Sequence, residues 1–379
     1  MIGAGLIGTT TLPSRTSRPR ARTWGARALG VVALAVAVST GVTGVAPAAP
    51  ATAVAGRPVR DFDLQAHRGG LGLVVEGTLP AFANALELGV TTLEMDIQIT
   101  EDGRDVVTHD RRINPAKCQD TRPAVPGDPD FPYAGKYIKD LTFDQVRTLD
   151  CGSLAQPNYP GQRTAPGARM PTLAEVFALV RQYRAWDVRF NIETKVEAAA
   201  PTETAPREQF VRVAAREVVR SGFLRNVTIQ SFDWGALRLM RQVEPRLPLV
   251  ALTQPEFLRG PNGTPSPWLG GLNIDDFGGN VVAAAKSIGV SALSPVHGNP
   301  QNGTVNDPDY QPFTTEEMVR QAHAVGMRVI PWTTDDPATM NKLIDDGVDG
   351  IITNYPDRLR TVMAERGFRL PRAYHRHHS

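Results

Sequence analysis

The chain has 379 residues, of which 41% are hydrophobic and 21% are charged. This is the balance of a folded globular protein, and it excludes a largely disordered chain. Because the charges of 41 Lys and Arg residues are nearly balanced by those of 39 Asp and Glu residues, the composition indicates no basic surface of the kind that binds nucleic acid.

The segment 1–55 differs in composition from the rest and has the three parts of a secretory signal peptide. Its charged side chains are all arginines, Arg15, Arg18, Arg20, Arg22 and Arg27. An apolar stretch over residues 28–38 follows, and the small residues Ala53-Val54-Ala55 precede Gly56. We expect cleavage after Ala55 and secretion of the protein. The apolar stretch is shorter than the roughly 20 residues of a spanning helix, so a retained membrane anchor is the alternative and not the expectation.

The chain contains only two cysteines, Cys118 and Cys151. A secreted protein meets an oxidising environment, and the segment between the two cysteines is rich in Pro, Gly and Asp, which is typical of a long irregular loop. We therefore expect a disulfide that closes this loop. Two unpaired buried thiols are the alternative.

From residue 56 onward, short β-rich runs alternate with longer helical runs, which is the pattern of βα units on a parallel sheet. Strands are predicted at residues 63–67, 92–99, 189–193, 227–231, 249–252, 291–295, 328–332 and 350–353. Helices are predicted at residues 79–88, 172–183, 207–221, 234–243, 280–288, 315–325 and 337–345. Eight strands with a crossover after each one fit a single TIM-type (β/α)8 barrel, of α/β class, better than an open sheet.

One part of the chain breaks this alternation. Asp102-Gly103 lies between two β-rich runs and predicts a hairpin, in which residues 105–108 fold back beside the second barrel strand. Residues 111–170 then read as an irregular insertion over the barrel mouth, with one helical turn at 143–149. The barrel domain is predicted to span residues 56–372, and residues 373–379 to form a disordered tail.

Three carboxylates lie at predicted strand ends. Glu94 and Asp96 are two residues apart on one strand, so both side chains point to the same side, and Glu193 ends another strand. Buried carboxylates repel each other unless a cation joins them, and an all-oxygen ligand set favours Ca²⁺ or Mg²⁺ over zinc. Salt bridges to Arg or Lys across the barrel end are the alternative. Lys195, on the same side of the strand as Glu193, is one such cation.

Two histidines also follow predicted strands, and each has a charged neighbour. His67 precedes Arg68, and His109 precedes Asp110. Two imidazoles beside a carboxylate cluster suit acid–base chemistry on a phosphodiester near neutral pH. Gln230 and Trp332 lie at further strand ends, and Trp332 is either core packing or a wall for a substrate.

An ordered set of motifs resembles the glycerophosphodiester phosphodiesterase family of phospholipase C-like TIM barrels. In chain order they are His67-Arg68-Gly69, Glu76-Gly77-Thr78, Leu93-Glu94-Met95-Asp96, His109-Asp110, Asn191-Ile192-Glu193-Thr194-Lys195, Gln230-Ser231-Phe232, Pro331-Trp332-Thr333 and Ile352-Thr353-Asn354. Each tripeptide alone is a weak signal, but the ordered set is specific and covers nearly all of the chain after the predicted cleavage site.

The resemblance implies an enzyme that hydrolyses glycerophosphodiesters to sn-glycerol 3-phosphate and an alcohol with a divalent metal, Ca²⁺ or Mg²⁺. It implies metal ligation by Glu94, Asp96 and Glu193. His67 and His109 would be general acid and base, in an order that the sequence leaves open. Substrate would be bound by Arg68 and Lys195 at the phosphate, and by Gln230 and Trp332.

Two other functions remain open at this stage. A related barrel phosphodiesterase could act on intact lipid through a cyclic phosphate, and a barrel of this kind could bind ligands without catalysis. The expected partner is a small molecule. The preferred head group, the metal used in the cell and the oligomeric state are not indicated by the sequence.

Overall fold

Runs of β-branched and other apolar residues form the strands of a parallel barrel, and the amphipathic runs between them form the helices around it. The structure is a computed structural model that describes residues 61–376. The predicted signal peptide, residues 1–55, lies outside the described residues. Among residues 61–376, no helix is both long enough and apolar enough to cross a membrane.

Residues 61–376 form eleven strands, and the eight of them that build the barrel alternate with helices as predicted. In chain order they are β1 (Asp63–Ala66), β2 (Thr92–Ile99), β3 (Asp105–Val107), β4 (Arg189–Thr194), β5 (Val227–Ser231), β6 (Leu249–Thr253), β7 (Ala292–Pro295), β8 (Gly298–Asn299), β9 (Gln311–Pro312), β10 (Arg328–Val329) and β11 (Gly350–Thr353). Eight of them pair in parallel in the order β10-β7-β6-β5-β4-β2-β1-β11. Backbone N–H groups of Asp349 and Ile352 donate to the carbonyls of Val329 and Pro331 at 2.9 Å, which brings the first and last strands of this order together. The predicted (β/α)8 barrel is therefore confirmed.

Helices pack around the barrel and cover its strands. They are α1 (Leu79–Leu88), α2 (Phe143–Val146), α3 (Leu173–Gln182), α4 (Arg207–Ser221), α5 (Trp234–Val243), α6 (Val281–Ser287), α7 (Glu316–Ala324), α8 (Pro337–Asp345) and α9 (Pro356–Glu365). Side-chain caps fix several starts: Thr172 and Glu175 form a capping box at α3. Helix α9 is not among the helices predicted from the sequence, although Pro356 at its first position is a typical start signal.

The predicted strand at 328–332 is shorter in the structure, where β10 ends at Val329. Pro331 has no N–H to donate, so it breaks the regular ladder. The chain nevertheless stays beside β7, because the N–H groups of Ile330 and Trp332 donate to Leu293 and Pro295 at 3.0 and 3.1 Å. Trp332 is thus still delivered to the end of the barrel.

The predicted hairpin is present, with β3 antiparallel to β2 and Ile97 opposite Val107. Gly103 has φ +75° in its turn, a conformation that glycine adopts without steric cost. Residues 111–170 are largely irregular and pack around a small apolar cluster of their own, which includes Tyr133, Leu149 and the disulfide Cys118–Cys151. The predicted disulfide is therefore formed. The helical turn in this segment, α2, is shorter than predicted.

The C-terminal segment packs further than the expected boundary at residue 372. Tyr374 is only 6% exposed, and its N–H donates to the carbonyl of Leu86 at 2.9 Å. Arg360 of α9 donates to the carbonyl of Pro371 at 2.8 Å, so this segment packs against α1 and α9, and the start of the predicted tail belongs to the packed domain. Residues 377–379 lie outside the described residues.

Candidate active site

The residues predicted for catalysis, metal binding and substrate binding meet in one cavity of about 730 Å³. It opens at the carboxyl ends of the barrel strands, where side chains from separate strands converge. All of them line it: His67, Arg68, Glu94, Asp96, His109, Glu193, Lys195, Gln230 and Trp332. The juxtaposition expected from the sequence is therefore present.

The acidic cluster is built by strand register. The side chains of Glu94 and Asp96, two residues apart, point to the same side of β2, and Asp96 lies opposite Glu193 on β4. One carboxylate oxygen from each of the three side chains lies within 4.8 Å of the others, and all three residues are buried. The side-chain oxygens of Asp96 have no hydrogen-bond partner. Three buried oxygen donors with an unsatisfied member fit a divalent cation.

Electrostatics support the same assignment. Burial, and then the charge of Asp96, raise the pKa of Glu94 well above its ordinary value. Burial also raises the pKa of Glu193 to about 8, against the opposing charge of Lys195. Such raised pKa values mean that the cluster resists full ionisation on its own, and a divalent cation would remove that resistance.

Two cations face the carboxylates, as the salt-bridge alternative requires. Lys195 Nζ lies 3.0 Å from Glu193 Oε1 and 3.9 Å from Asp96 Oδ1, and Arg68 Nε lies 3.3 Å from Asp96 Oδ2. Arg68 is also bound to Glu76, with Nη1 2.6 Å from Oε2. If all three carboxylates are ionised, one lysine and one shared arginine leave a net negative charge, which a divalent cation would offset.

Arg68 is held in an unusual backbone conformation at the end of β1. Its φ is +51°, in the left-handed region that non-glycine residues rarely adopt. In this position its backbone N–H donates to Glu94 Oε2 at 2.8 Å. One residue therefore orients a carboxylate of the cluster through its backbone and places a guanidinium beside Asp96 through its side chain.

His67 is oriented by strand ends of the barrel itself. Its Nδ1 lies 2.6 Å from Asn354 Oδ1, and Asn354 Nδ2 donates to Asp335 Oδ2 at 2.7 Å. Because a carboxylate only accepts, the amide nitrogen must face Asp335 and the amide oxygen must face His67. His67 therefore carries its proton on Nδ1, which leaves Nε2 as the free acceptor of the neutral ring.

His109 is oriented by a carboxylate instead. Its Nδ1 lies 2.8 Å from Asp110 Oδ1, and Asp110 Oδ2 lies 2.9 Å from both Asn114 Nδ2 and Lys117 Nζ. Burial, and then the charge of Arg68, lower the pKa of His67 to about 3 and that of His109 to about 4. Both rings are therefore neutral at pH 7 before an anion binds, with Nε2 free to take a proton.

Gln230 lines the cavity and is also hydrogen-bonded to the acidic cluster. Its Nε2 donates to Glu94 Oε1 at 2.7 Å, and its Oε1 accepts from Asn191 Nδ2 at 2.8 Å. The amide is thus bonded to protein at both ends. Gln230 therefore fixes the orientation of Glu94, and its contact with substrate stays a prediction.

Aromatic rings form one wall of the cavity. Among them, only Trp332 was predicted from the sequence to contact substrate. The centroids of Phe232 and Trp332 are 5.2 Å apart in a T-shaped arrangement, and Phe257 stacks on Trp268 at 4.2 Å. Trp332 Nε1 donates to the carbonyl of Ser294 at 3.0 Å, which fixes its ring. Phe257 and Trp268 lie in the irregular segment after β6, where no periodicity pointed to them.

Comparisons with known proteins agree with this geometry. Residues 67–358 match the model of the glycerophosphoryl diester phosphodiesterase family. A glycerophosphodiester phosphodiesterase of Caldanaerobacter subterraneus subsp. tengcongensis is 26% identical over 302 residues, covering 80% of this chain and 98% of that protein.

Solved structures show the same fold. A protein of Silicibacter pomeroyi DSS-3 assigned to this enzyme class has a TM-score of 0.66 at 27% identity, covering 83% of this chain and 96% of its own. An Oleispira antarctica phosphodiesterase, solved with the product sn-glycerol-3-phosphate, has a TM-score of 0.57 at 18% identity, covering 81% and 97%. The family match supports the prediction of an enzyme, a phosphoric diester hydrolase, over a barrel that only binds. The chain belongs to the glycerophosphoryl diester phosphodiesterase family.

Proposed function

We propose that this protein is a metal-dependent hydrolase that cleaves glycerophosphodiesters to sn-glycerol 3-phosphate and an alcohol. The observation that carries the proposal is the single cavity that joins three buried carboxylates, two histidines with free Nε2 atoms and two cations. The name of the Caldanaerobacter relative and the product bound to the Oleispira enzyme support the same substrate class.

Glu94, Asp96 and Glu193 would hold the metal, which we propose to be Ca²⁺ or Mg²⁺ because every donor is a carboxylate oxygen. When bound, such an ion polarises a phosphoryl oxygen and offsets the charge that develops there. Lys195 and Arg68 line the same cavity and supply further positive charge toward the phosphate. Burial of the whole group strengthens each of these interactions relative to water.

We assign different roles to the two histidines from the groups behind them. The carboxylate of Asp110 stabilises a positively charged His109 ring, whereas the group behind His67 is the neutral amide of Asn354. When the phosphodiester anion binds, His109 takes up a proton from solvent at Nε2, and it is therefore the better donor of that proton to the leaving alcohol. His67, with a free Nε2, is the better acceptor of the proton from the attacking water.

Metal binding and turnover can be tested with matched variants. We expect Glu94→Gln to lose release of sn-glycerol 3-phosphate from glycerophosphocholine and to lose calorimetric binding of Ca²⁺ or Mg²⁺, while circular dichroism stays unchanged. Glu101→Gln, at an exposed carboxylate of the β2–β3 turn, is the control and should keep both properties. Equal activity and metal binding in Glu94→Gln and the wild type would contradict the site assignment.

The aromatic wall favours a second candidate function. Phe232, Phe257, Trp268 and Trp332 present partly exposed rings to the cavity, and such a wall suits an apolar substituent. The protein would then cleave a lipid phosphodiester by hydrolysis or, where the lipid carries a free hydroxyl next to the phosphate, by attack of that hydroxyl, which expels the head-group alcohol and leaves a cyclic phosphate. Assays with glycerophosphocholine and with intact phosphatidylcholine in micelles discriminate the two, because a lipid enzyme turns over the second substrate faster.

We further propose that the protein is secreted and that residues 1–55 are removed. The support is the composition of this segment, together with a disulfide that suits an oxidising compartment. Amino-terminal sequencing of the protein recovered from culture medium should begin at Gly56. Recovery only in the cytoplasmic fraction, with Met1 retained, would contradict secretion.

A further inference from the structure

A continuous chain of hydrogen bonds and ion pairs joins the two sides of the cavity through the insertion. His109 Nδ1 lies 2.8 Å from Asp110 Oδ1, and Asp110 Oδ2 lies 2.9 Å from Lys117 Nζ. The same Lys117 Nζ lies 2.9 Å from Glu76 Oε1, and Glu76 Oε2 lies 2.6 Å from Arg68 Nη1. A single ammonium group therefore links a catalytic histidine to the arginine beside the acidic cluster.

The backbone around Lys117 is fixed by the insertion. Cys118 follows directly and is bonded to Cys151. Next to this disulfide, Gln119 and Asp150 exchange backbone hydrogen bonds at 2.9 and 3.0 Å. The N–H groups of Lys117 and Cys118 both donate to the carbonyl of Asn114, at 3.0 and 2.8 Å. Lys117 thus projects from a turn that is held by the disulfide and by backbone hydrogen bonds. Its side chain is 22% exposed.

The charges explain why a cation is needed at this point. Asp110 Oδ2 and Glu76 Oε1 both face the position of Lys117 Nζ, so removing the ammonium leaves two carboxylates directed at each other. Like charges in a partly buried site repel, so Asp110 and Glu76 would move apart. Each would then displace the residue that it binds, His109 or Arg68. Gln156 Nε2 donates to Glu76 Oε1 at 2.7 Å but brings no charge to offset the repulsion.

We propose that Lys117 is a positioning residue for this site, and that the insertion contributes it. It holds Asp110 behind His109 and Glu76 behind Arg68, so one group fixes both the proton donor and a phosphate-binding cation. This assignment rests on the proposed function. It also gives the disulfide a functional consequence, because the bridge anchors the turn from which Lys117 projects.

The test compares Lys117→Met, Lys117→Arg and the control Lys136→Met. Lys136 belongs to the same insertion and pairs with Asp130 at 2.8 Å, away from the cavity. In steady-state kinetics on glycerophosphocholine, Lys117→Met should have a lower kcat because His109 is displaced, and a higher KM because Arg68 is displaced. We expect kcat/KM to fall about 10²-fold. Lys117→Arg should recover most of this loss, and Lys136→Met should match the wild type.

Single replacements at the two ends of the chain separate its effects. Asp110→Asn should lower kcat with little change in KM, and Glu76→Gln should mainly raise KM. Adding Lys117→Met to either one should cost much less than it does in the wild type, because the linked groups act together. Kinetics of Lys117→Met within twofold of the wild type, or a loss that Lys117→Arg does not recover, would overturn the proposal.

A structural readout keeps this inference separate from the proposed function. If the wild type turned over no glycerophosphodiester, the function would fail but the positioning role could still be measured. Crystal structures of wild type and Lys117→Met should then show the His109 ring and the Arg68 guanidinium displaced in the variant. Unchanged positions of both groups would overturn the role of Lys117. If Lys117→Met does not fold, the Asp110→Asn and Glu76→Gln structures test the same links.

Discussion

The two histidines of the site are supported by different parts of the molecule. His67 is held by the barrel, through Asn354 at the end of β11 and through Asp335. His109 is held by Asp110, which the insertion fixes through Asn114 and Lys117. The His67 side of the site is therefore part of the barrel, whereas the His109 side depends on the insertion, which has a small apolar core of its own. Changes in the insertion should therefore act on the His109 side first.

The largest expected effect is the loss of either histidine. His67→Ala and His109→Ala should each reduce kcat about 10³-fold, because each removes a proton-transfer group. Steady-state release of sn-glycerol 3-phosphate measures the loss. His323→Ala is the matched control, since His323 pairs with Asp349 at 2.9 Å outside the cavity. A strong loss of kcat in only one of these two variants would show that the reaction does not need both histidines as proton-transfer groups.

Removing the disulfide should weaken the insertion side. The Cys118→Ser/Cys151→Ser variant should lose about 3 to 4 kcal/mol of unfolding free energy, because the unfolded chain gains freedom over a sequence separation of 33 residues. Urea unfolding measures this loss, and reduction of the wild type should reproduce it. We also expect a lower kcat in the folded variant. An unchanged urea midpoint in the double variant would show that the bridge does not stabilise the insertion.

Glu76, which pairs with Lys117 of the insertion, should make the stability of the protein sensitive to acid. Although burial raises it, the charges of Arg68 and Lys117 lower the pKa of Glu76 from 4.5 to about 2. Because the folded pKa lies below the unfolded one, the stabilisation is present above pH 4.5 and is lost as the pH falls toward 2. It is on the order of 3 kcal/mol at pH 7.

Urea unfolding of Glu76→Gln between pH 7 and pH 3 tests this sign. The variant should be less stable than the wild type at pH 7, and the difference should shrink below pH 4.5. A difference that stays constant over this range would show that the Glu76 carboxylate does not gain its stability from the ion pairs.

The smallest expected effects are shifts of the pH–rate profile, and they address the two sides separately. Asp110→Asn removes the carboxylate that supports a charged His109, so the pKa of the donor in the substrate complex falls and the basic limb of the kcat profile should move to lower pH. Asn354→Asp places a carboxylate behind His67, so the pKa of the acceptor rises and the acidic limb should move to higher pH. Shifts of about one pH unit are expected. Opposite movements would reverse the roles assigned to the histidines.

The sequence predicted the barrel side of the site well, for identifiable reasons. Glu94 and Asp96 lie on a strand with regular alternation, and the Asp102-Gly103 turn correctly returned the chain to His109. The early end of β10 was missed because Pro331 removes a backbone donor inside an otherwise strand-like run.

The insertion side could be predicted only in part. The disulfide followed from the two cysteines, but the contact between Lys117 and Glu76 depends on the path of an irregular loop, which carries no periodic signal. The same holds for Phe257 and Trp268 in the segment after β6. Gln230 was placed in the cavity correctly, yet its partner Glu94 could be identified only from the three-dimensional arrangement.

Metal dependence of turnover tests the central claim most directly. The measurement is ³¹P NMR of glycerophosphocholine incubated with the chelated protein, before and after addition of Ca²⁺ or Mg²⁺. We expect no change in the spectrum before addition, and afterwards the growth of a single new resonance at the position of sn-glycerol 3-phosphate. Full turnover in the chelated protein, or no turnover with either ion, would contradict the account.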